Sequence, residues 1–129
     1  MAEFILKKIG RDKGVEAFRS QSITPNYKHL QGKELVAELQ KKLIEEAYEV
    51  QEAQDAQEMI GELADVLEVI DGLYKAYGIS PEAVAQEKEK RRQERGGFAT
   101  GLYIETIQMS EDNPRVKHFR KSPKKYPEI

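Results

Sequence analysis

Two neighbouring stretches of apolar residues at helical spacing constrain this chain more than any other feature. Over residues 34–56, Leu35, Val36, Leu39, Leu43, Ala47, Val50 and Ala53 recur every three or four positions. Over residues 58–77, Met59, Ile60, Leu63, Val66, Leu67, Ile70, Leu73, Tyr74 and Tyr77 do the same. The positions between are mostly Glu, Gln and Lys, which favour helix. Two long amphipathic helices joined by a short turn must pack against each other, so an antiparallel all-α bundle is expected. The break near Gln54–Gln57 carries neither Gly nor Pro, and its geometry stays open. Gly78 suits the left-handed residue that ends a helix.

The first stripe is not purely apolar. On a wheel turning roughly 100° per residue, Glu46 falls within about 40° of the centre set by Leu39, Leu43 and Val50. Glu49 sits at the stripe's edge, and Glu45 and Glu52 lie further round. A carboxylate on a core-facing stripe must be neutralised, paired with a base or bound to a metal, because an unpaired buried charge costs several kcal/mol, roughly. A Lys or Arg partner explains one such residue adequately. The second helix, however, carries Glu62 and Asp65, three apart and on the flank of its stripe around Val66 and Val69. In an antiparallel pair, Glu46 and Glu49 can face Glu62 and Asp65. Converging hard oxygen ligands of this kind suit magnesium or manganese. A lone E-x-x-E says little in a chain with 23 acidic residues. E-E-x-x-E followed by E-x-x-D on adjacent amphipathic helices says more.

Around this pair the chain is simpler. Residues 1–33 contain Gly10, Gly14, Pro25 and Gly32, which interrupt long helices, with a short helix expected around Gly14–Gln21. Ser80-Pro81-Glu82 is a helix start: serine caps, proline suits the first turn and glutamate complements the dipole. That helix should reach Arg95 and stop at Gly96-Gly97. Phe98–Ile107 is rich in β-branched and aromatic residues and is expected to form a short strand or extended arm. The last 20 or so residues, with three prolines and many charges, are expected to be a largely extended basic tail. The expected division is a helical domain over 1–107 and a tail over 108–129.

Composition limits the function. With 39% hydrophobic and 34% charged residues, the core is thin, and pairing with a second copy is expected to complete it. A net charge of −2 makes no case for nucleic-acid binding by the whole chain. The basic stretch Arg115–Lys125 could contact phosphates, although such tails are more often solvated. Without cysteine, zinc–thiolate sites, disulfides and thiol catalysis are excluded. The apolar patch at Phe4–Leu6 is too short for a signal-peptide core or a membrane span, so a cytoplasmic protein with no membrane partner is expected.

The segments LIEEAYEV (43–50) and GELADVL (61–67) resemble the MazG-like and phosphoribosyl-ATP pyrophosphohydrolase superfamily of all-α NTP pyrophosphatases. Its shared signature, E-E-x-x-E then E-x-x-D, reads here as Glu45, Glu46, Glu49, Glu62 and Asp65. KIGRDK (8–13) and RGGF (95–98) are similar to flanking segments of one branch. Gly10 stands where that branch has an aliphatic residue, and Gly14-Val15-Glu16 replaces its I-P-E. The resemblance spans about residues 4–105.

The resemblance implies hydrolysis between the α and β phosphates of a nucleoside triphosphate or related nucleotide. Magnesium, with manganese as a substitute, would be held by Glu46, Glu49, Glu62 and Asp65. Glu45 or Glu46 would serve as the catalytic base. Such a substrate needs cations around it, and Lys8, Arg11, Lys13, Lys88, Arg91, Arg92 and Arg95 are the candidates. The implied partners are a nucleotide and one or three further copies, giving a homodimer or homotetramer. The competing expectation is a non-catalytic dimerisation or nucleotide-sensing module whose acids are merely salt-bridged. Tyr48 could stack on a base, whereas Tyr74 and Tyr77 fall on the packing stripe.

Overall fold

The computed structural model describes residues 1–129 and contains five helices and no strand. They are α1 (Gly14–Ser20), α2 (Gly32–Glu52), α3 (Ala56–Tyr77), α4 (Pro81–Arg95) and α5 (Val116–Arg120). The all-α class expected from the periodicity is what forms. The chain divides into two compact units, Met1–Gln93 and Glu94–Ile129.

In the first unit α2 and α3 pack as an antiparallel pair and are the principal helix contact. The turn between them needs no glycine. Asp55 caps α3 by accepting the Glu58 amide at 2.8 Å, and the Glu58 carboxylate accepts the Gln54 amide at 2.8 Å. This reciprocal arrangement is a variant of the capping box. The signal, Asp55 followed three residues later by Glu58, was present in the sequence. At the other end of α3, Gly78 takes the left-handed conformation (φ 73°) and its amide bonds the Tyr74 carbonyl, as the sequence suggests. Ser80 caps α4 by accepting the Ala83 amide at 3.1 Å.

The α2–α3 register can be read from its contacts. Leu39 lies against Gly72, where a Cβ built on the glycine would stand 3.3 Å from Leu39 Cδ2. Nearer the turn, Glu46 meets Glu62 and Asp65. The α3 face turned to α2 therefore runs through Glu62, Asp65, Val66, Val69, Gly72, Leu73 and Ala76, most of them half-buried. Val69 is the one buried apolar residue.

This phasing splits the broad apolar stripe of α3. Ile60, Leu63 and Leu67, which the periodicity groups with the core, remain 61%, 46% and 61% exposed. With Tyr77, which is 67% exposed, and the half-buried Ile70 and Tyr74, they form a row of alternating three- and four-residue steps. One neighbouring helix cannot cover an apolar arc this wide. No helix is long and apolar enough to cross a membrane.

The second unit is small. Residues 102–110 adopt neither strand nor helix, and Phe98, Leu102 and Tyr103 are more than four-fifths exposed. The stretch beyond Ser110 is more structured than an extended tail. The Asn113 side chain accepts the Arg115 amide at 2.9 Å just before α5. Phe119 and Tyr126 meet edge to face with centroids 4.8 Å apart. Arg120 clamps the unit by donating two hydrogen bonds each to Glu111 and Glu128, at 2.8–3.0 Å. A local fork of this kind orders a segment that composition alone marks as solvated.

Candidate metal centre

Each half of the acidic motif is delivered by one of the two packed helices. Glu46 projects from α2 toward α3 because it shares the stripe of Leu39, Leu43 and Val50. At 8% exposure it is the one buried charged residue. Glu62 and Asp65 project back from α3 and are half-buried. One carboxylate oxygen from each of these three residues lies within 4.8 Å of the others. Glu46, Glu62 and Asp65 are the residues that would hold a hard cation such as magnesium, which takes oxygen ligands. Glu49 does not join the set and is exposed at its margin.

The cluster is only partly neutralised by the chain. Lys42 Nζ lies 3.4 Å from Glu45 Oε1 and 3.5 Å from Glu46 Oε1. Lys8 Nζ lies 3.1 Å from Glu45 Oε1, and Arg11 Nη2 lies 2.6 Å from Asp65 Oδ1. No basic group completes an ion pair with Glu62. Desolvation, then the nearby charges of Glu49, Asp65, Glu46 and Glu58, push its carboxyl above the ordinary glutamate value. Glu45 moves the other way, because a hydrogen bond from Lys8 and the charge of Lys42 outweigh its desolvation. Glu62 thus has acidic neighbours and no basic partner. An all-oxygen set with that deficit fits a hard divalent cation.

Of the expected phosphate contacts, the structure brings Arg11 to Asp65 of the cluster and Lys8 to Glu45, the residue before Glu46. Lys13 lies at the start of α1 without a carboxylate partner. In α4, Arg91 pairs with Glu87 at 3.1 Å, and Lys88, Arg91 and Arg92 are exposed. α4 does not pack along the α2–α3 pair, so these cations are not gathered around the carboxylates. Arg95, also exposed, belongs to the second compact unit. Lys42 was not singled out from the sequence, although its i,i+4 spacing to Glu46 was the available signal.

Residues 19–92, more than half of the chain, match the phosphoribosyl-ATP pyrophosphohydrolase family. The chain belongs to that family. The matched region contains α2, α3, every acidic residue of the cluster and most of α4, and it excludes Lys8, Arg11 and Lys13. Membership places the chain among pyrophosphohydrolases of nucleotide-like substrates, within the superfamily expected from its acidic motif. No significant match was found among curated proteins or solved structures.

Proposed function

We propose that this member of the phosphoribosyl-ATP pyrophosphohydrolase family is a magnesium-dependent nucleoside triphosphate pyrophosphohydrolase. The observation that carries the reading is Glu62, a carboxylate without a basic partner among Glu46, Glu49 and Asp65. Glu46, Glu62 and Asp65, joined by Glu49 through a side-chain rotation, would hold Mg2+, with Mn2+ as a substitute. When bound, the ion supplies charge neutralisation at the phosphates and a water of lowered pKa.

The chain's own residues do the rest. Glu45 or Glu46 accepts the proton of the attacking water. Water adds across the α–β anhydride, the bridging oxygen leaves with one phosphorus, and the products are a nucleoside monophosphate and pyrophosphate. Lys8, Arg11 and Lys13 contact the phosphates. The exposed Ile60, Leu63, Leu67 and Tyr77 support a homodimer or homotetramer, because their 3–4 spacing is what helix-to-helix packing uses.

A panel of canonical and altered NTPs and dNTPs, assayed for pyrophosphate release with Mg2+ and Mn2+, tests the activity. No turnover across the panel, together with no metal binding by calorimetry, refutes it. The ion pairs of Lys8, Lys42 and Arg11 favour a second reading, a salt-bridged helical module without catalysis. In that case Asp65→Asn and Glu49→Gln leave metal affinity unchanged.

A further inference from the structure

The segment preceding α1 touches both halves of the acidic motif. Lys8 reaches Glu45 on α2, 37 residues away, and Arg11 reaches Asp65 on α3, 54 residues away. Residues 1–11 form no helix or strand, and almost all are exposed. Two side-chain ion pairs therefore anchor this strap to the helix pair. A hollow of about 210 Å3 separates residues 6–9 from Glu38, Lys41, Lys42 and Glu45 of α2, so the strap is not tightly packed there. Lys7, next to the first anchor, holds φ at 48°, a left-handed conformation disfavoured for a side chain of its kind. A segment with few buried contacts and local backbone strain opens readily.

Arg11 also occupies a contested position. The Asp65 carboxylate that it binds is one of the three acids within mutual reach of one ion. A guanidinium at 2.6 Å and a divalent cation on the same cluster repel each other, while a nucleotide brings phosphate oxygens that match the planar guanidinium fork.

We propose that Lys8 and Arg11 are exchangeable counter-ions: they neutralise Glu45 and Asp65 before the metal binds, and Arg11 then passes from Asp65 to a substrate phosphate. The strap is thereby released by the metal and drawn back by the nucleotide. This rests on the reading of the acidic cluster as a metal centre and adds an order of events to it. A purely structural Arg11 predicts unchanged metal affinity on removal of the guanidinium, and one that orients Asp65 through its outer oxygen predicts weaker binding.

The test uses the full chain and Mn2+ as probe, measured by calorimetry without nucleotide, with hydrogen exchange read over residues 7–13. Arg11→Gln and Lys8→Met are compared with wild type, and circular dichroism checks that each is folded. The exchange predicts that Arg11→Gln binds Mn2+ about two- to fivefold more tightly, the range set by an exposed ion pair. It predicts faster exchange of the wild-type strap with Mn2+ alone and slower exchange when a non-hydrolysable α,β-imido triphosphate is added. Unchanged or weaker Mn2+ binding by Arg11→Gln overturns it, as does a strap indifferent to Mn2+. Glu62→Gln separates the two levels of inference. If that variant binds Mn2+ like wild type, the metal centre falls and the exchange with it. If it loses Mn2+ while Arg11→Gln gains nothing, only the exchange falls.

Discussion

Leu39 of α2 packs into the space that Gly72 leaves on α3, with only 3.3 Å between Leu39 Cδ2 and the position of an added Cβ. This contact lies between the two helices that present the acids. Gly72→Ala trades a tight contact against a helix-propensity gain of about 1 kcal/mol, so near-neutral stability is expected. Gly72→Val adds bulk against the Leu39 methyl groups and should lose about 1–3 kcal/mol in denaturant unfolding. Adding Leu39→Ala to Gly72→Val should recover part of that loss, which a double-mutant cycle reads directly.

Glu62→Gln should separate stability from metal binding. The folded carboxyl sits above its ordinary value, so the folded state holds the proton more tightly than the unfolded chain. Stability from this group therefore falls as pH rises through the raised value, and ionised Glu62 opposes folding at neutral pH. Without metal, the glutamine variant should melt at higher temperature than wild type near pH 7. The difference should close as pH drops below the ordinary glutamate value of 4.5. With Mg2+ added, the order should reverse, since only wild type gains stability from the bound ion. Thermal scans at several pH values, with and without Mg2+, check both parts.

Lys42 and Glu46 should respond unequally. Glu46 is buried and Lys42 is its one basic contact. Lys42→Met strands a buried carboxylate and is expected to cost about 1–3 kcal/mol, whereas Glu46→Gln leaves a partly exposed lysine that water can serve. For metal affinity the order inverts: Glu46→Gln should lose about 10–100-fold or more, with a smaller effect from Lys42→Met. Urea unfolding and Mn2+ calorimetry on the two variants give the comparison.

The C-terminal unit should loosen in acid. Hydrogen bonds from Arg120, and then its charge, hold the Glu111 and Glu128 carboxyls below the ordinary value, and the two acids keep the guanidinium firmly protonated. Their contribution is complete above the ordinary value of 4.5 and is lost as pH falls through the lowered ones. The ring resonances of Phe119 and Tyr126, in contact at 4.8 Å, should report this by NMR. Arg120→Met should remove the pH response and leave the rings separated at neutral pH.

The outer row of α3 should control assembly. Leu63→Lys and Leu67→Lys place charge at exposed positions, so helicity should be retained while a monomer appears in light scattering. An unchanged mass for both variants would exclude this row as the interface.

The α2 and α3 stripes, the Gly78 stop and the Ser80 start were legible because each rests on local spacing or on one residue's backbone preference. The placement of Glu46 was legible too, since the wheel alone sets an acid among Leu39, Leu43 and Val50. Helical phase is a property of neighbouring residues, so one chain segment contains it. Which side of α3 turns inward was not available in that way. Its apolar arc is wide enough for two orientations, and only the packed pair shows which one is used, with Gly72 against Leu39. In the packed pair Glu62 and Asp65 face Glu46, while Ile60, Leu63 and Leu67 stay exposed. The pairing of Lys8 with Glu45 and of Arg11 with Asp65 likewise arises only in three dimensions, because 37 and 54 residues of chain separate the partners. The sequence by itself determined the helices and the acids they carry. Tertiary structure decided which acids meet, which cations reach them and why Glu62 is left without one.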